Sequence, residues 1–141
     1  MRESVTIGEA ARISGVKVPT IRYYEDIGLV PAPARTPGNR REYSENDLKR
    51  LAFIRHAREL GFEIDTIRTL LDLQDDPGQS CSPADSIARL RLKDVEDRID
   101  RLSALKAELE RMIRNCSHGT IAECCVIDSL SNHAKCSHSR H

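Results

Sequence analysis

Between residues 83 and 115 one apolar stripe runs through an otherwise charged stretch. Ala88, Leu92, Val95, Ile99, Leu102, Leu105, Leu109 and Met112 follow one another at intervals of 4, 3, 4, 3, 3, 4 and 3 residues. That is nearly a heptad, and it predicts one long helix with a continuous apolar seam. The other faces are Lys, Arg, Asp and Glu. A helix of this kind cannot bury its seam alone. No second helix of equal length is foreseen in the chain, so the expected partner is another copy, giving a homodimer.

The residues before this seam read differently. Ile7, Ala10, Ala11 and Ile13 are spaced as one helix face, with Thr6 as N-cap and Glu9 three residues on, the capping-box pattern. Ser14-Gly15-Val16 breaks it. A second short helix is predicted over roughly 19–27 and ends at Gly28. Two short helices joined by a glycine turn suggest a helix-turn-helix. The segment 31–43 then holds three prolines, and Pro37-Gly38-Asn39 is a turn signal. It reads as a hairpin-like wing with Arg35, Arg40 and Arg41 around its tip. Ser44 starts a third helix with Asp47 at N3, ending near Gly61, and 63–73 form a fourth. Residues 74–83 are a polar hinge. After the long helix come a loop at 116–124, a short helix around 125–131 and a His/Cys-bearing tail. No internal repeat is seen. The expected division is 1–74, 75–115 and 116–141.

Charge permits a polyanion partner for the first part without requiring one. Residues 1–60 carry 11 Lys/Arg against 8 Asp/Glu, while the whole chain has 22 of each. In a helix-turn-helix dimer the second helix enters the major groove. Lys17, Arg22 and Tyr23 are therefore candidates to reach bases or phosphates, and the wing arginines to clamp the flanking backbone. Tyr24 reads as core. No run of eighteen apolar residues exists, and the N-terminus lacks a signal-peptide core, so the expected setting is cytoplasmic, with no membrane partner.

These residues carry a specific resemblance. The segments TIGEAARISGVKVPTIRYYEDIGLVPAPAR and GNRREYSENDLKRLAFIRHARELGFEIDTIRTLL, continued by the long helix, resemble the MerR family of transcriptional regulators over nearly the whole chain. The resemblance implies a mainly α fold: a winged helix-turn-helix, a long antiparallel coiled-coil dimerisation helix and a C-terminal metal-binding loop. It implies DNA contacts at Thr20, Arg22, Tyr23, Arg35, Arg41 and Tyr43, with His56 and Arg58 nearby. Arg40 departs from the family pattern, where a large apolar or aromatic residue is usual, and offers a further phosphate contact. It also implies action on double-stranded promoter DNA, through RNA polymerase at the promoter.

Five cysteines stand at 81, 116, 124, 125 and 136, four of them in the last 26 residues. Clustered thiols in a reducing compartment point to metal or redox chemistry rather than to disulfides. Cys116 and Cys124 bracket the loop SHGTIAE, where metal-sensing members of the resembled family carry a cysteine pair. Two thiolates suit linear Cu(I), and a divalent ion wants a further ligand. Cys81 lies at the opposite end of the long helix, about 50 Å from Cys116 at 1.5 Å per residue. In an antiparallel dimer Cys81 of one subunit meets Cys116 and Cys124 of the other. The resemblance places a cysteine here in the branch responding to Zn, Cd, Pb or Hg, and a serine in the Cu/Ag/Au branch. Zinc and cadmium are the foremost candidates. His118 is a candidate fourth ligand or an exposed loop histidine. Cys125 reads as a small core residue before a ligand. His133, Cys136, His138 and His141 form a tail that either binds accessory metal or is disordered.

Other classes fit less well. A monovalent Cu(I)/Ag(I) sensor is the main alternative. A redox or iron–sulfur sensor would need four closely spaced cysteines after the long helix. An organic-effector sensor would need a large further domain. A thiol enzyme would need a pocket with an activating base, and no catalytic domain is foreseen.

Overall fold

A computed structural model describes residues 4–116 and 118–132. The chain divides into two compact units, with the boundary between Ile87 and Ala88. The first opens with α1 (Ile7–Ser14) and α2 (Val18–Asp26), the predicted helix-turn-helix. Thr6 caps α1 by accepting from the Glu9 N–H at 3.2 Å. Only half of the expected capping box forms. The Glu9 carboxylate accepts from Arg12 one turn on, and that hydrogen bond holds its pKa below the ordinary carboxylate value. Gly15 ends α1 at φ 76°, a left-handed conformation that glycine adopts without strain. The Arg55 side chain packs over it so closely that a Cβ there would meet Nη1 at 2.5 Å.

The wing is a two-stranded antiparallel hairpin of β1 (Ala34–Arg35) and β2 (Arg41–Glu42), with Ala34 opposite Glu42 and Arg35 opposite Arg41. Asn39 takes φ 63° at its tip, a conformation that asparagine tolerates better than most residues. Past β2, Tyr43 pairs its backbone with Val5 at 3.0 and 2.9 Å, which ties the wing to the start of the chain. Next comes α3 (Glu45–Glu59), started by a complete Ser44/Asp47 capping box, and then α4 (Ile64–Gln74). Ala10, Val16, Ile21, Tyr24, Leu29, Leu51, Ile54, Ile67 and Leu71 form the buried core between these helices.

Helix α5 (Ser82–Arg114) has the predicted length, 33 residues. Leu92, Ile99, Leu102 and Leu109 on its seam are each more than half exposed, whereas Met112 near its end is buried. A single chain therefore leaves most of the seam uncovered. Among the described residues of the second unit, a 3-10 turn at Ile121–Glu123 and α6 (Cys125–Ser131) follow. The 3-10 turn was not foreseen, since three residues carry no periodicity to read. No helix among the described residues is long and apolar enough to cross a membrane.

Candidate DNA-binding surface and thiol cluster

Helix α2 buries Ile21 and Tyr24 and exposes Lys17, just before it, with Arg22 and Tyr23. Thr20 is half-buried. Burial is the main cause raising the Tyr24 pKa, which fits its reading as core. The far end of α2 is held by two guanidinium groups. Arg68 Nη2 donates to the Ile27 carbonyl at 2.9 Å, and Arg50 Nε to the Leu29 carbonyl at 3.0 Å. The Ile27 carbonyl belongs to the C-cap of α2, where a helix lacks internal donors, and the Leu29 carbonyl lies in the turn that follows. Arg50 also reaches the Asp75 carboxylate at 3.4 Å, at the end of α4.

Arg22, Arg35, Arg40 and Arg41 line one cleft between α2 and the wing, together with Thr6 and Asn39. Arg35 and Arg40 are exposed, and Arg35 Nη1 donates to the Asn39 carbonyl at 3.1 Å, steadying the wing tip. A second recess gathers Lys17, Thr20, Arg55 and Arg58. Arg55 was missed in the sequence. Its only signal is a place one turn before Arg58 on α3.

Two wing residues sit otherwise than the resemblance implies. Tyr43 has no exposed surface: its backbone is paired with Val5 and its hydroxyl donates to the Glu25 carboxylate. Arg41 is half-buried, with Nη1 2.9 Å from Glu25 Oε2. Burial, and next the bond to Glu25, push the Tyr43 hydroxyl up to about 12. The folded state therefore holds this proton more tightly than the unfolded chain. The stabilisation is complete below pH 10 and is lost as pH rises towards about 12. A difference of that size corresponds to roughly 2–3 kcal/mol of stability. Denaturant unfolding of wild type and Tyr43→Phe should show the wild type losing that much more across this range. Parallel losses would show that the hydroxyl contributes nothing.

The thiols divide between the units. Cys81 is exposed and immediately precedes α5, where its carbonyl accepts from the Asp85 N–H at 3.0 Å. Cys116, Cys124 and Cys125 are half-buried in the second unit. Cys125 departs from its expected place in a core. It is the first residue of α6, and its Sγ donates to the Asn115 carbonyl at 2.7 Å, beside Cys116. His118 is exposed with φ 58°. Among the described residues no three His, Cys, Asp or Glu side chains of one chain form a metal-holding group. The donor set of this segment, three thiols and an imidazole, nevertheless suits a soft ion. The tail candidates His133, Cys136, His138 and His141 lie outside the described residues.

Residues 5–74 match the family described as MerR HTH family regulatory protein, and residues 48–112 the one described as MerR, DNA binding. The chain is 39% identical over 132 residues to the HTH-type transcriptional regulator ZntR of Escherichia coli K12, covering 91% of this chain and 93% of the relative. It is 38% identical over 134 residues to the mercuric resistance operon regulatory protein of Pseudomonas fluorescens, covering 94% and 91%. Among solved structures, the transcription regulator PbrR691 from Ralstonia metallidurans CH34 in complex with lead(II) is similar with a TM-score of 0.78 and 38% identity, covering 89% of this chain and 98% of that one.

Proposed function

This chain belongs to the MerR family of transcriptional regulators, and on that footing we propose that it is a promoter-bound homodimer that activates metal-resistance or efflux genes on binding a soft divalent ion. One observation carries the choice of ion. Thiols flank both ends of α5, with Cys81 before it and Cys116, Cys124 and Cys125 after it. Paired antiparallel along the exposed seam, two copies would bring Cys81 of one to the cluster of the other. Three thiolates suit zinc, cadmium, lead or mercury, with zinc and cadmium foremost, better than a two-coordinate monovalent ion. The similarity to a mercuric resistance regulator and to a regulator in complex with lead(II) supports the same class. Cys81, Cys116 and Cys124 supply the three ligands, with His118, Cys125 and Cys136 as accessory donors.

The dimer presents Lys17, Thr20, Arg22 and Tyr23 to the major groove and Arg35 and Arg40 to the flanking phosphates. Its metal-loaded form holds promoter DNA bent and untwisted, which realigns the elements read by RNA polymerase. The ion must favour that form over the metal-free one, since equal affinity for both would switch nothing.

The test is transcription in vitro from the cognate promoter with each buffered metal in turn. Activation by zinc or cadmium is expected. Activation by Cu(I) or Ag(I) alone would overturn the divalent assignment. Arg22→Ala should weaken operator binding by about 1–3 kcal/mol if the side chain reads a base. Unchanged affinity in a fluorescence-anisotropy titration would remove Arg22 from the interface.

A further inference from the structure

We propose that Glu25 is a positioning residue that sets operator specificity by holding the wing in register with the second helix of the helix-turn-helix. Glu25 lies near the end of α2, and its side chain is only 7% exposed. Its two oxygens serve two partners, both from the wing side: the Tyr43 hydroxyl donates to Oε1, and Arg41 Nη1 stands 2.9 Å from Oε2. Arg41 and Tyr43 are two apart on an extended segment, so both side chains leave it on the same face. One carboxylate thus ties α2 to two consecutive same-face positions of the wing.

The sign of its charge sharpens the point. Glu25 holds Arg41, which lines the same cleft as Arg22, Arg35 and Arg40. A carboxylate there repels phosphate and neutralises one of the four arginines. Electrostatics alone would favour its removal. Its use is geometric: it fixes the spacing between base-reading groups on α2 and phosphate-reading groups on the wing, and phosphate contacts set the register in which bases are read. The buried carboxylate is tolerated because both its oxygens are paired. This inference rests on the reading of α2 and the wing as the DNA surface.

The two accounts predict opposite results for Glu25→Gln, which keeps the shape and removes the charge. Full-length dimer is titrated at fixed salt with operator duplex and with random duplex of equal length. Positioning predicts a ratio of operator to random affinity lower by about tenfold, in the range of coupled contacts, with random-duplex affinity equal or higher. A ratio within twofold of wild type would overturn the proposal. So would an equal loss for both duplexes, which is the mark of mere destabilisation and is checked by thermal melting. Should Glu25→Gln fail to fold, Tyr43→Phe decides: it removes one of the two ties, and the ratio should fall about threefold. An unchanged ratio there overturns the proposal as well. Arg22→Ala is the control. If it too leaves operator binding intact, the DNA-surface reading falls and this inference with it. If only Arg22→Ala weakens binding, this inference alone falls.

Discussion

Cys81→Ser is expected to abolish induction by zinc and cadmium while leaving a dimer that still binds its operator. Serine is nearly isosteric, and Cys81 is exposed just ahead of α5, so the fold should not register the change. The proposed site should. Loss of a group that merely supports a ligand costs roughly 10–100-fold in metal affinity, and loss of a thiolate ligand should cost at least as much. Cys116→Ser should behave in the same way. Cys124→Ser and Cys125→Ser, run in parallel, assign the third thiol. Because the Cys125 thiol donates its proton in a hydrogen bond to the Asn115 carbonyl, whereas a metal ligand must be a thiolate, the larger loss is expected at Cys124. The measurement is metal-dependent transcription beside operator affinity. Zinc or cadmium induction within twofold of wild type in Cys81→Ser would rule out a site shared between subunits.

Leu102→Glu is expected to convert the dimer to monomers at micromolar concentration and to collapse operator binding. Leu102 stands mid-seam and is 63% exposed in the single chain. Burying one such side chain contributes about 1.5–3 kcal/mol, and in a two-fold dimer each substitution is made twice. Glutamate adds the cost of desolvating a charge. A monomer engages only one half-site, so it forfeits the advantage of linked binding, about 10²–10⁴-fold. Sedimentation equilibrium and operator titration are read together, with a melting curve to show that the first unit stays folded. A mass still dimeric at micromolar concentration would mean that the seam is not the interface.

What could be read ahead of the structure was local. The seam of α5, the Ser44/Asp47 box, Gly15 and Gly28 as helix ends and the Pro37-Gly38-Asn39 turn each depend on neighbours within a few residues. What could not be read was tertiary. Nothing near Tyr43 indicates that its hydroxyl meets Glu25, eighteen residues away. Arg41 reads as one more wing cation until its ion pair is seen. Arg55 gains its place by packing over Gly15, forty residues earlier in the chain. In the sequence Cys125 reads as a small core residue. The start of α6 at that residue instead sets its thiol against the end of α5.

The fastening of the helix-turn-helix by its own arginines bears on the counterions that DNA must release. Eleven Lys and Arg occur in the first sixty residues. Arg12, Arg41, Arg50 and Arg55 face carboxylates, and Arg50 and Arg58 also cap carbonyls. Lys17, Arg22, Arg35, Arg40, Lys49 and Arg58 are exposed and have no carboxylate partner among the described residues. Each phosphate neutralised releases about 0.9 of a cation from duplex DNA. If the first unit grips DNA as proposed, one protomer then engages at most about six phosphates rather than eleven. Added salt should loosen this regulator less steeply than its count of basic residues suggests.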